Sequence, residues 1–348
     1  MTVSVCMIVK NEEKLLARCL DSLKGLYDEL VIVDTGSTDR TRQIAGEYTD
    51  NIYDFSWQDD FSAARNFAFS KCSCDYIYSA DADEYLDETN RTRFRNLIMV
   101  LNPAVEIVQM HYYEPKLSGL LNTRSELRPK LFKRIRTFRW VDPVHESVQT
   151  EPLVFDSDIV ITHAPESLHS SRDFSIFEKA YSREGRLSKR LYSMYAIELY
   201  RNGGAEELRH GALIFSEVID RENPDQELLI KLLIILAVNA RKEGNISALL
   251  KYASRLLACD DPCSEVCLEL GRYFFDQGDY KEASLWFYNA TIQQSALDIH
   301  SSTDLPCRAL GICYAHLSEQ ADGEESDRYR EAAEEYERRA DQFQIPEE

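Results

Sequence analysis

The first eighty residues alternate between two hydrophobic rhythms, and that alternation leaves few folds open. Residues 3–9 are a β-branched apolar run, and residues 11–26 repeat apolar side chains at Leu15, Leu16, Cys19, Leu20 and Leu23, the spacing of one helix face. A second apolar run over 29–33 ends at Asp34-Thr35-Gly36-Ser37-Thr38-Asp39. The series continues with a helix over 40–47 that Ser37 or Thr38 would cap, a short strand over 51–55, a helix over 61–72 and a buried strand over 75–79. A βαβαβ order predicts an α/β unit with a mostly parallel sheet and right-handed crossovers. Ligands of such sheets bind beyond the carboxyl ends of the strands. Asp34 and Asp81 both stand just past a strand end.

Beyond residue 100 the rhythm changes twice. Residues 104–113 and 154–161 read as strands and 130–140 alternate in part, as the acceptor-side half of the same unit. From Phe174 the pattern is helical. Leu270, Gly271, Phe274, Gly278, Tyr280, Ala283, Phe287 and Ala290 follow the tetratricopeptide (TPR) alternation of small and large residues. The same frame 34 residues earlier gives Leu236, Ala237, Ala240, Gly244, Ile246, Leu249 and Ala253. A third unit, with Leu310, Gly311, Tyr314, Tyr329, Ala332 and Tyr336, needs an insertion between its helices. The alternative is an irregular helical bundle. The division expected is an α/β domain over 1–170, a TPR-like domain over 171–342 and a frayed tail over 343–348.

Composition narrows the partners. The 348 residues carry 60 acidic and 40 basic side chains, a formal charge of -20, which repels nucleic acid and anionic membranes. The opening segment lacks a basic leader, and the apolar run 228–238 contains Lys231 and is too short to span a bilayer. Nine scattered cysteines show no zinc-ribbon spacing and read as reduced thiols. These features together predict a cytoplasmic protein without a transmembrane segment.

The chemistry centres on Asp81-Ala82-Asp83-Glu84 after the apolar Tyr76-Ile77-Tyr78. Two carboxylates at i and i+2 can hold Mg²⁺ or Mn²⁺, hard ions that keep open positions for phosphate oxygens. Alone, such a pair is usually an acidic, solvated corner. Its neighbours change the reading. Val31-Ile32-Val33-Asp34-Thr35-Gly36-Ser37-Thr38-Asp39, the opening Ser4-Val5-Cys6-Met7-Ile8-Val9-Lys10-Asn11-Glu12, and Asp60-Phe61-Ser62-Ala63-Ala64-Arg65-Asn66 resemble, in order and spacing, the motifs of family 2 glycosyltransferases. The resemblance is good over residues 2–90 and weaker to 165. The branch it looks most like is bacterial and joins the catalytic domain to C-terminal TPR-like helices.

That resemblance implies a GT-A fold and a nucleotide-sugar donor. It implies that Asp34 accepts from the base, uracil favoured over guanine, although a strand-end turn cap is its ordinary role. Val9 and Asn11 would line the base and ribose pocket. Glu12 would accept from the ribose or else sit as an exposed first-turn acid. Arg65 would bind the diphosphate or position Asp81, unless it is a plain helix-surface arginine, and Asp60 would orient it. Asp81 and Ala82 would face the donor, with Asp83 on the metal. His163 would complete the metal shell as a neutral imidazole, or merely cap its strand. His169, in the Ser-rich stretch 167–171, would belong to a loop that closes over donor.

On the acceptor side an inverting transfer needs a base. Glu146, within Asp142-Pro143-Val144-His145-Glu146, is the candidate, with His145 on the phosphates or orienting it. Many family members place an Asp there, so this chain departs from that version. Trp140 offers a sugar a flat face or is simply buried, and Glu84 is placed with it toward the acceptor. The basic stretch Arg128, Lys130, Lys133, Arg134, Arg136 and Arg139 either draws in an anion or protects a solvated strand edge.

The reading is therefore an inverting transferase using a UDP-sugar, with a peptide, protein or cell-envelope glycan as acceptor. The helical repeats offer a peptide groove or a homodimer surface. Two competing classes remain. A nucleotidyltransferase would need a Gly-rich loop where Lys10-Asn11-Glu12-Glu13 stands. A catalytically weak scaffold would bind a peptide or protein through its repeats.

Overall fold

The computed structural model describes residues 1–115, 123–148, 153–165, 170–259 and 263–345. It divides into two compact units, Met1–Ala180 and Tyr181–Ile345. The division falls later than the 170/171 boundary read from the sequence.

The first unit begins with β1 (Val3–Val9), α1 (Leu16–Leu23), β2 (Glu29–Asp34), α2 (Thr41–Ala45), β3 (Ile52–Asp54), α3 (Phe61–Lys71) and β4 (Tyr76–Ser79). It continues with β5 (Glu84–Tyr85), α4 (Glu88–Val100), β6 (Ile107–Tyr113), β7 (Ser125–Lys133), β8 (Trp140–Val141), β9 (Ser147–Val148), β10 (Val154–His163) and α5 (Ser170–Glu184). Eight strands form one sheet in the order β3-β2-β1-β4-β7-β6-β10-β5. β1 pairs in parallel with β2 and β4, β2 with β3, and β10 with β6; β7 runs antiparallel to both its neighbours, and β5 to β10. Parallel pairings outnumber antiparallel ones, as the βαβ order predicts. Apolar residues of β1, β2 and β4 are buried on both faces, under two hydrophobic clusters, as a sheet covered on both sides requires.

Two local expectations differ. The helix expected over 11–26 shrinks to α1, because Asn11 adopts φ 57° and a turn precedes Leu16. Neither Ser37 nor Thr38 caps α2: Arg40 is the N-cap residue and Asp39 Oδ1 accepts from Thr41 N. Ser37 Oγ accepts from Asn11 N, and Thr38 N donates to Asn11 Oδ1, so both residues lace the β1 and β2 loops together.

The second unit is all helical: α6 (Lys189–Asn202), α7 (Ala205–Glu222), α8 (Gln226–Lys242), α9 (Ile246–Leu257), α10 (Ser264–Asp276), α11 (Tyr280–Ile292), α12 (Asp304–Gln320) and α13 (Gly323–Asp341). The repeat frame falls on α8–α9 and α10–α11, and Gly244 and Gly278 turn the chain between the paired helices at φ 69° and 76°. A Cβ on Gly271 would meet the Phe287 ring at 2.5 Å, so the small residue is what lets α10 and α11 close. In the third pair the expected insertion is not a loop. α12 runs to Gln320 and α13 begins at Gly323, so the added residues lengthen the helices.

Candidate functional site at the carboxyl ends of the central strands

The acidic triplet sits between the end of β4 and β5, and β5 pairs with the last residues of β10 in the register His163↔Glu84. That pairing carries the triplet to His163. His163 Nε2 lies 2.9 Å from Asp83 Oδ2, and its Nδ1 lies 2.8 Å from Glu114 Oε1. Burial works against a charged imidazole, but the hydrogen bonds to the two carboxylates push the His163 pKa up to about 9. Glu12 stands in the same field: burial first, then the Asp83 charge, raises its carboxyl to about 7, with Arg172 opposing. The cluster thus has negative charge in excess and collects protons.

A divalent cation would answer that demand. Among the described residues no group of three or more His, Cys, Asp or Glu side chains is arranged to hold a metal. Asp83 and His163 supply two converging donors, oxygen and imidazole nitrogen. Glu114 on the far nitrogen fixes the ring, the usual support of a metal-bound histidine. Two protein donors leave coordination positions for phosphate oxygens. The residues fit Mn²⁺ or Mg²⁺.

Arg65 is the second centre. Asp60 caps α3, accepting from Ala63 N at 3.0 Å and from Ser62 Oγ at 2.7 Å, and α3 then presents Arg65 one turn on. Arg65 Nη2 donates to Asp81 Oδ1 at 2.7 Å, Nε to Glu146 Oε1 at 2.5 Å, and Nη1 to Ser79 Oγ at 3.1 Å. The guanidinium lies over the Trp140 ring, 5.0 Å from its centroid. Lys130 closes the other side, within 3.5 Å of Asp81 Oδ2 and hydrogen-bonded to Glu84. Burial disfavours the Asp81 charge, yet Arg65 and Lys130 hold its carboxyl well below the usual range.

Glu146 reaches Arg65 from the β8–β9 hairpin. Asp142 and His145 in that turn have φ 73° and 49°, left-handed values uncommon for residues other than glycine. Phe61 N donates to Pro143 O at 2.8 Å, tying the hairpin to the start of α3. The His145 ring centroid lies 5.8 Å from that of Phe177.

Several sequence expectations need correction. Trp140 is a core residue packed on Phe69 and Phe132 with Arg65 over its face, so no sugar can stack there. Glu84 is 2% exposed and paired with Lys130, not turned to an acceptor, and Ala82 is also buried. Asp60 acts on Arg65 only through the helix it caps. Asp34 takes the turn-cap role: its Oδ1 accepts from Gly36 N and Ser37 N. The Val9 carbonyl is already bound by Thr35 N and Thr35 Oγ1. The basic stretch is not a patch, because Lys133, Arg134 and Arg136 bind Pro103 O, Cys74 O and Glu106. His169 lies outside the described residues.

Sequence reading missed the roles of Lys130, Glu114 and Ser79, because each acts through a contact to another element of the fold. A lysine at the centre of a strand was the available signal: buried lysines are almost always paired.

Comparison with known proteins finds a family for most of the first unit. Residues 4–157 match the sequence profile of Glycosyl transferase family 2. Over 134 residues the chain is 41% identical to a TPR repeat-containing protein of Synechococcus elongatus, covering 36% of this chain and 33% of that one. Over 123 residues it is 31% identical to the SPbeta prophage-derived glycosyltransferase SunS of Bacillus subtilis, covering 32% and 29%. The match thus spans about a third of these relatives' length. Among solved structures, S. aureus TarS 1-349 in complex with UDP-GlcNAc aligns over 97% of this chain and 92% of its own, at 14% identity and a TM-score of 0.38. Glucosyl-3-phosphoglycerate synthase from Mycobacterium tuberculosis, with Mn²⁺, UDP and phosphoglyceric acid, aligns over 54% and 80%, at 16% identity and a TM-score of 0.40. The matched residues 4–157 span most of the sheet and include Arg65, Asp81, Asp83 and Glu146, with His163 beyond them, so the first unit of this chain carries the glycosyl transferase family 2 match and an all-helical unit follows it.

Proposed function

We propose that the chain is a metal-dependent, inverting glycosyltransferase that moves a sugar from a nucleotide diphosphate donor, a UDP-sugar in preference to a GDP-sugar, to a peptide, protein or cell-envelope glycan. The observation that supports this most is the Arg65 junction: one guanidinium joins the first carboxylate of the donor triplet to the candidate base.

In this reading Asn11 and the Asp34 turn shape the base pocket and Glu12 accepts from the ribose. Asp83 and His163 hold Mn²⁺ or Mg²⁺, which when bound supplies positive charge to the departing diphosphate. Asp81, kept ionised by Arg65 and Lys130, accepts hydrogen bonds from the donor's ribose or sugar. Glu146 is the base. Its Oε1 is anchored on Arg65, which aims the carboxylate while its second oxygen takes the acceptor's proton. As that proton leaves, the acceptor atom bonds to the anomeric carbon from the face opposite the nucleotide, and the bond to the diphosphate breaks. The helical repeats favour an extended peptide as acceptor, since stacked helix pairs build long concave surfaces.

The test is nucleotide release. Incubation with UDP-sugars and Mn²⁺ should liberate UDP, and chelation should stop it. Thermal midpoints should rise with UDP-sugar plus Mn²⁺, as binding to the folded state alone demands. No release and no shift with any UDP- or GDP-sugar would overturn the reading.

A further inference from the structure

The acidic turn does not hold itself in place. Its carbonyls are bound from behind by consecutive side chains of α1. Arg18 Nη2 donates to Asp83 O at 3.0 Å and to Ala164 O at 3.1 Å. Cys19 Sγ contacts Asp81 O at 3.2 Å, a weak thiol bond. One turn later Ser22 Oγ accepts from Leu86 N at 3.2 Å. The Arg18 guanidinium also rests 4.9 Å from the centroid of the Tyr85 ring, in β5.

Arg18 bridges two different segments. Asp83 O belongs to the triplet, and Ala164 O belongs to the residue after His163. Ala164 N donates in turn to Asp83 O at 3.0 Å. The guanidinium and one backbone bond together fix the separation of the two residues that carry the candidate metal donors. We infer that Arg18 is a positioning residue for the cation site: it sets the Asp83–His163 distance, and it touches neither metal nor substrate. This rests on the metal assignment made above.

Two effects of Arg18 on a bound cation oppose each other. Its positive charge repels a divalent ion, and its hydrogen bonds hold the donors in place. Arg18 is exposed, so its charge is screened by water and salt. Second contacts to metal-ligand groups, by contrast, typically change affinity by about 10–100-fold. Positioning should win, and the sign of the effect decides.

The experiment compares wild type, Arg18→Met, Arg18→Lys and Asp83→Ala by titrating Mn²⁺ in the presence of UDP and counting free Mn²⁺ by electron paramagnetic resonance. Arg18→Met keeps the apolar stem on Tyr85 and removes the bonds and the charge. It should weaken Mn²⁺ about tenfold, with UDP affinity in chelator unchanged and Arg18→Lys recovering part of the loss. Turnover should return toward wild type at saturating Mn²⁺. Unchanged or tighter Mn²⁺ binding in Arg18→Met, with binding still abolished in Asp83→Ala, overturns the positioning role alone. A wild-type protein that binds no Mn²⁺ overturns the metal assignment as well.

Discussion

Both units bury charge, and they bury it to opposite ends. In the helical unit Glu265 and Glu269 are fully buried. Glu265 accepts from the backbone N–H groups of Ala296, Leu297 and Asp298 at 2.7–3.1 Å. Glu269 accepts from Arg241 and Arg272, each at 2.5 Å. There each carboxylate has its donors, and the result is a knot between helices. In the sheet unit Glu12, Asp81, Asp83, Glu84, Glu114 and Glu146 gather around Arg65, Lys130 and His163, and Glu12 and His163 are driven to hold protons. Buried charge by itself marks no site. A surplus of one sign beside a strand end does.

The sharpest way to break that contrast is a pair of variants read by two measurements. Asp83→Ala should cut Mn²⁺-dependent UDP release on the order of 10³-fold, the scale of losing a group that stabilises a leaving charge. Its urea unfolding free energy should stay within about 1 kcal/mol of wild type, since removing a carboxylate also relieves the crowding. Glu269→Ala should do the reverse. It leaves two arginines without their buried partner and should cost roughly 3 kcal/mol or more. The protein that remains folded should keep its turnover. If Glu269→Ala proves silent in unfolding, the knot is not structural and the comparison fails.

A pH series sharpens the same difference. The folded His163 pKa of about 9 lies above its ordinary value of 6.5. In metal-free protein this protonation therefore stabilises the fold fully below pH 6.5, and the contribution is lost as pH rises through 9. A metal must displace that proton. Mn²⁺ affinity should then rise by about tenfold per pH unit up to pH 9 and level off beyond it. Calorimetric titration in buffers of different protonation enthalpy would count the proton released. Affinity that is flat from pH 7 to 9 would show that His163 is not a ligand. The helical unit, with its carboxylates already paired, should show no matching response.

How far the sequence reached follows from the same physics. β1, β2 and β4 were legible because a strand buried on both faces writes a continuous apolar run. The place of Asp34 at the end of β2 and of Asp81 and Asp83 just past β4 was legible because each apolar run stops there. β7 was not. Arg128 and Lys130 suggested an anion-drawing patch or a solvated edge, whereas β7 lies at the centre of the sheet and turns Lys130 inward onto Asp81 and Glu84. Trp140 and Glu84 were misassigned for a related reason: residue type announces chemistry, but the partner that uses it up lies 46 or more residues away. Arg18 left no signal, because its acceptors are backbone carbonyls 65 and 146 residues distant.

The smallest expected effect tests the repeats, where the helical unit's own order is graded. Gly271 and Gly311 occupy the same place in successive helix pairs. At Gly271 an added methyl would come within 2.5 Å of the Phe287 ring, which is 2% exposed and has no room to retreat. Gly271→Ala gains helix propensity, worth about 1 kcal/mol, but overpacking costs about 1–3 kcal/mol, so it should destabilise by roughly 1 kcal/mol. At Gly311 the nearest atom to the same methyl is Ala333 O at 3.4 Å, an ordinary contact. Gly311→Ala should then be neutral or more stable by up to about 1 kcal/mol. Opposite signs in urea melts would show that the good repeat match is a packing constraint and the third pair a looser copy. Equal signs would mean that the helical unit is packed uniformly, and that the repeat frame says nothing about where its stability lies.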